Sequence, residues 1–223
     1  MPPRLRQLPL IWDLPTRLFH WGLAGAITIC LWTGLDGGFE AMDLHQRAGY
    51  VALGLVAFRL LWGVVGAQHA RFTSFLRGPS ETLGHVRELV GGRPQPHAGH
   101  NPLAGWTVSL TLLAIAVQAV TGLFASDDLF IEGPLTHLVT GETTSRMTEI
   151  HHYGQWTVGG LVGLHLLAIA LHSQAFGEPI IRSMVHGRRG DLDVPSIPGQ
   201  RLGVATALAA GCAVGVWWVV TQL

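Results

Sequence analysis

Five apolar blocks, each free or almost free of charge, alternate with short polar stretches along the chain. They cover residues 18–35, 48–67, 103–125, 153–171 and 202–223, and Arg59 is their one charged residue. About 20 mostly apolar residues suffice to cross a hydrocarbon core of about 30 Å. In lipid a lone apolar segment satisfies its backbone by becoming a helix. The pattern therefore predicts five transmembrane helices, at about 18–35, 48–67, 103–125, 151–172 and 202–222. Five such blocks in 223 residues argue against the buried helices of a soluble protein. The first block does not read as a cleaved signal peptide. Asp13 and Pro15 precede it, Asp36 follows it, and no clear small-x-small site is present. Between helices 2 and 3, Ser80-Glu81 opens a short amphipathic stretch through Leu83, Val86, Leu89 and Val90, closed by Gly91-Gly92. It is expected on the cytoplasmic interface.

Composition agrees with the pattern. Only 13% of residues are charged, against about 25% in ordinary soluble domains. Two cysteines, Cys30 and Cys212, lie in different blocks and form no CxxC or CxxCH motif. No internal repeat and no low-complexity tract is evident. Nor is there a Gly-rich nucleotide loop, a nucleophile elbow or an HExxH helix.

Charge adds the orientation. All 14 cations are Arg, balanced by 14 acids. Arg4, Arg6, Arg17, Arg71, Arg77, Arg87, Arg93, Arg182, Arg188, Arg189 and Arg201 fall on alternate connections. The intervening connections are acidic. One carries Asp36, Glu40 and Asp43; the other carries Asp127, Asp128, Glu132, Glu142 and Glu149 against Arg146 alone. The positive-inside rule then puts the N-terminus in the cytoplasm and the C-terminus outside. The basic segments fit this topology and anionic lipid better than nucleic acid.

Twelve histidines are the candidate chemistry. His151 and His165 are 14 residues apart on helix 4, within about 40° of one helical face and separated by a rise of about 21 Å. His152 is about 140° off that face, so spacing prefers His151. Helix 1 carries His20 near its cytoplasmic end, and helix 2 carries His45 at its outer end. His20 and His165 thus share the inner half of the membrane, and His45 and His151 the outer half. Two inter-helix His pairs at two depths suit two bis-histidine haems, with iron taking one imidazole on each side. Arg59 follows His45 by 14 residues, on nearly the same face at the inner depth. A buried guanidinium needs an anion, and a haem propionate would serve, with Arg17 a further candidate. The alternative is that Arg59 snorkels to the cytoplasmic surface. His172 reads as an interfacial structural residue, with proximity to a quinone pocket or a propionate as its functional alternative. His100 is expected to help cap helix 3, and His69, His85, His97, His137 and His186 read as loop residues. The aligned histidines form two distant pairs rather than a tetrahedral zinc cluster.

At this point the chain resembles a known family. Trp12-Asp13-x-Pro-x-Arg17-x-Phe19-His20-Trp21 is similar to the entry into helix 1 of bacterial cytochrome b561 proteins and of the b-type cytochrome subunits of nickel–iron hydrogenases. His45-x-x-x-Gly49-Tyr50 followed by Phe58-Arg59-Leu60-Leu61-Trp62-Gly63 resembles their second helix, and Gly99-His100-Asn101-Pro102-Leu103 the start of their third. Glu149-Ile150-His151-His152 with His165 resembles their fourth. Ser173, Glu178, Met184 and Gly187-Arg188-Arg189 resemble the stretch that follows. The likeness covers roughly residues 10–190. It implies an all-α membrane protein: a four-helix transmembrane bundle binding two b haems within residues 1–190, plus a linker and fifth helix within 191–223. It maps axial roles onto His20, His45, His151 and His165, as spacing does.

The expected function is electron transfer between a periplasmic redox partner and the quinone pool of the bacterial inner membrane. A hydrogenase, another periplasmic oxidoreductase or a c-type cytochrome would serve as partner, docking on the acidic outer loop 125–150. One alternative is a stand-alone quinone-linked oxidoreductase acting on a small oxidant of the superoxide type. The other is a non-redox scaffold or transporter, which would leave the matched histidines and Arg59 without a role.

Overall fold

In the computed structural model, residues 8–36, 38–92 and 95–222 are described. Arg4, Arg6 and Arg93, used above for orientation, lie outside them. The elements are α1 (Leu14–Asp36), α2 (Phe39–Val65), α3 (Phe72–Phe75), α4 (Pro79–Val90), α5 (Pro102–Gly122), α6 (Gly141–Ala175), α7 (Ile180–His186) and α8 (Leu202–Gln222). Among the described residues no strand forms, and five helices (α1, α2, α5, α6 and α8) are long and apolar enough to cross a membrane. Many of their large apolar side chains are exposed, including Trp32, Trp156, Leu167 and Trp217. Lipid is the solvent that tolerates this.

The five predicted spans are present, with two starting well before their apolar blocks. Helix α6 begins at Gly141, ten residues ahead of His151, and α2 begins at Phe39, so His45 sits inside the helix rather than at its tip. Both early stretches carry charge, Glu40, Asp43 and Arg47 in α2 and Glu142, Arg146 and Glu149 in α6. Apolarity marks where the lipid begins and not where helical hydrogen bonding begins. Part of the acidic loop 125–150 is therefore helix.

The chain divides into two compact units. The first comprises Met1–Leu18, Leu60–Leu110 and Gly163–Ala205. Within it, the segment entering α1 is strapped to residues 187–200. Ile11 and Trp12 donate their N–H groups to Gly187 O at 2.8 and 3.0 Å, Arg189 N donates to Pro9 O at 3.2 Å, and Ile197 N to Leu10 O at 2.9 Å. Gly187 has φ +79°, and a Cβ on it would come within 2.6 Å of Trp12 O. Buried Asp13 caps α1, its Oδ1 accepting the N–H of Thr16 at 2.6 Å. Its Oδ2 and Thr16 Oγ1 share the indole N–H of fully buried Trp62, at 3.3 and 3.2 Å.

Two sequence expectations change in this unit, and His172 is given a partner. Asn101, not His100, caps α5, with Oδ1 accepting Ala104 N–H at 2.8 Å. The amide oxygen is the better-placed acceptor for an N-terminal donor, and His100 instead packs edge-on to Trp12 and against Phe75. His85 is no loop residue. It lies on α4, almost fully buried, with its ring edge-on to His97. Burial, then the neighbouring His97, pushes its pKa below the ordinary value, with Glu88 opposing. His172 is buried and its Nδ1 lies 2.9 Å from Glu178 Oε1. Glu178 also receives Arg189 at 3.1 Å, and Arg189 bonds Asp191 as well.

The second unit comprises Phe19–Arg59, Thr111–Val162 and Thr206–Leu223. Its core is built at helical spacing from Phe19, Leu23 and Ile27 of α1 and Ala48, Ala52 and Val56 of α2, with Ile115 and Val158. A tight turn follows α5. Asp127 Oδ1 accepts the N–H groups of Leu129, Phe130 and Ile131 at 2.9, 2.9 and 2.8 Å. Those bonds, led by that from Ile131, hold the Asp127 carboxyl below its ordinary range.

Candidate functional site

Two of the four predicted ligands meet in the second unit. The rings of His45, on α2, and His151, on α6, have centroids 5.9 Å apart and planes at 81°. They line a cavity of about 340 Å³ together with Ile27, Ala52, Ile115 and Val158, within the usual range of small-molecule sites of about 300–1,000 Å³.

Each ring is held from behind by a different helix. His45 Nδ1 lies 3.0 Å from Cys30 O on α1, and His151 Nδ1 lies 2.8 Å from Gln118 O on α5. A carbonyl only accepts, so Nδ1 carries the proton in both residues and Nε2 keeps its lone pair. Both carbonyls stand near helix C-termini, where the helix dipole presents its negative end to the N–H donor. The clasp on His151 is reciprocal, because Gln118 Nε2 also donates to His151 O at 2.8 Å. Glycines supply the clearance. A Cβ on Gly34 would stand 3.3 Å from His45 Cε1, and one on Gly122 only 2.8 Å from His151 Cε1.

This donor set fits a bis-histidine haem. Two imidazole–metal bonds of about 2 Å place the ligating nitrogens about 4 Å apart, and the distance from nitrogen to ring centre on each side brings the centroids to about 6 Å. The observed separation matches. Gly49, one turn after His45, lines the cavity, and a Cβ added there would meet nothing within 4 Å. Such open, apolar space is what a flat macrocycle requires.

The remaining predicted residues are placed as follows. His20 lies on α1 in the second unit, its ring edge-on to Trp21 at 5.0 Å. His165 lies on α6 in the first unit. Arg59 is 2% exposed, with its guanidinium 5.9 Å from the centre of the Phe19 ring. It is buried and does not snorkel. Arg17 donates to Val185 O at 2.7 Å, at the end of α7. His152 also borders the cavity but is exposed, with its ring edge-on to Tyr153.

Sequence reasoning missed the residues behind the rings. Cys30 and Gln118 act through backbone oxygen, which no residue type advertises. The available signal was short: Thr-Gly-Leu occurs at 33–35 and again at 121–123. In each copy the accepting carbonyl lies three residues before the Thr, and the Gly gives the ring its space.

A family model described as prokaryotic cytochrome b561 matches residues 11–187. Curated relatives are named probable Ni/Fe-hydrogenase B-type cytochrome subunits. The one from Azotobacter vinelandii is 29% identical over 80% of this chain and 87% of its own. That from Bradyrhizobium diazoefficiens is 28% identical, over 82% and 87%. That from Rhodobacter capsulatus is 22% identical, over 83% of each. No solved structure matches the chain.

Proposed function

Because the chain belongs to the prokaryotic cytochrome b561 family, we propose that this integral-membrane b-type cytochrome carries electrons between a periplasmic redox partner and the quinone pool of the bacterial inner membrane. Two b haems serve it, one between His45 and His151 and one between His20 and His165. When bound, each supplies a reversible one-electron iron couple.

The observation that carries this reading is the opposed pair His45 and His151. Their Nδ1 protons point at helix carbonyls, so both imidazoles offer Nε2 as ligand in advance. The inner pair rests on the 14-residue spacing of His165 from His151 and on the matching depth of His20. Buried Arg59, on the face of α2 that carries His45, is the residue suited to an inner haem propionate. The relatives' names favour a nickel–iron hydrogenase as partner. Another periplasmic oxidoreductase or a c-type cytochrome would dock by the same acidic outer surface.

The test is a reduced-minus-oxidised optical spectrum of the purified protein with a pyridine haemochrome count. Two b haems per chain are expected. His45→Ala or His151→Ala removes one of them, as does His20→Ala or His165→Ala, and His152→Ala keeps both. A haem-free protein after haem-replete expression overturns the reading.

A further inference from the structure

Behind each ring of the outer pair stands a threonine that the spacing argument does not use. Thr33 Oγ1 lies 3.2 Å from His45 Nδ1, and Thr121 Oγ1 lies 3.4 Å from His151 Nδ1. Both hydroxyls are almost completely removed from solvent. Each already spends its hydrogen on its own helix. Thr33 donates to Ile29 O at 2.7 Å, and Thr121 donates to Val117 O at 2.8 Å. Towards the ring, each hydroxyl therefore presents a lone pair. Each Nδ1–H is shared between two acceptors, the carbonyl three residues before the threonine and the threonine itself. The two sides repeat the same geometry on different helices.

We propose that Thr33 and Thr121 are positioning residues that set the redox potential of the iron held between His45 and His151, by acting as second acceptors for the two Nδ1–H groups. The proposal rests on the reading of that pair as haem ligands. An acceptor behind an axial imidazole raises its basicity and fixes its rotation. A more basic imidazole donates more charge to iron and favours the ferric state, so it lowers the potential. Two acceptors do this more than one. The shared hydrogen bond also opposes rotation of the ring towards a tautomer that would offer Nδ1.

The experiment is a potentiometric titration of the full-length, haem-loaded protein followed optically, with Thr33→Val, Thr121→Val, the double variant, and Thr33→Ser and Thr121→Ser. Valine keeps the branched shape and removes the acceptor. The expected result is retention of both haems, an upward shift for one haem in each valine variant, and no shift for the other haem. Thr33→Val should shift more than Thr121→Val, because its oxygen is the closer acceptor. The double variant should show the sum, because the two threonines act on separate rings. The serine variants should keep the wild-type potential. An unchanged potential in the valine variants overturns the proposal. So does haem loss on valine substitution, which would make the threonines merely structural. The ligand reading fails separately, if His45→Ala and His151→Ala both retain two haems.

Discussion

The placement of one Cβ decides whether His151 can hold its ring where it stands. Alanine at Gly122 would put that atom 2.8 Å from His151 Cε1 and 3.1 Å from Nδ1. A ring pushed away from that atom would leave its bond from Nδ1 to Gln118 O. Gly122→Ala is therefore expected to remove one haem per chain in the pyridine haemochrome count. Gly34→Ala, at 3.3 Å from His45, should cost less and leave part of the haem bound. A second residue-scale prediction concerns Asp13. Its carboxylate caps α1 and accepts from Trp62. Asp13→Ala loses the cap and one of the two indole acceptors, a destabilisation of about 1–3 kcal/mol. Thermal unfolding in detergent should show a lowered midpoint, with a smaller effect for Asp13→Asn, which keeps an acceptor.

At the scale of elements, the strap joining residues 8–14 to 187–200 is where a stretch that read as a linker became structure. Its Gly/Pro/Arg composition gave no periodicity to read. Its hydrogen bonds run to residues almost the whole chain away. Gly187→Ala should loosen it, through the positive φ and the approach to Trp12 O, seen as faster proteolysis near residue 190. The strap also carries a pH dependence. The hydrogen bond from Arg189 holds the Asp191 carboxyl below its ordinary 3.8, against the opposing effect of burial. A depressed carboxyl stabilises the fold fully above its unfolded value and loses that contribution as pH falls through the folded one. The protection of amides around residues 187–191, relative to their intrinsic exchange rates, should therefore hold down to about pH 4 and fall below it. Asp191→Asn should show reduced protection at every pH.

For the whole molecule, the alternation of Arg-rich and acidic connections makes a prediction independent of haem. A C-terminal alkaline phosphatase fusion should be active and a C-terminal fluorescent protein fusion dark, because the positive-inside rule predicts that the last helix ends outside. The reverse pattern would invert the topology and with it the assignment of His45 and His151 to the outer side.

The five spans and the histidines were legible in the sequence because each depends on local facts. Lipid solvation acts on every block of about 20 residues, and helical periodicity links positions 14 apart along one helix. Helix starts were less legible, since the charged early stretches of α2 and α6 follow hydrogen bonding rather than apolarity. The tertiary structure alone decided which backbone atoms stand behind the rings. Cys30, Gln118, Thr33 and Thr121 act on His45 and His151 across helices. A carbonyl belongs to every residue, and only packing selects which one receives the proton. The sequence by itself determined which imidazoles are available; the fold decided which nitrogen each one offers.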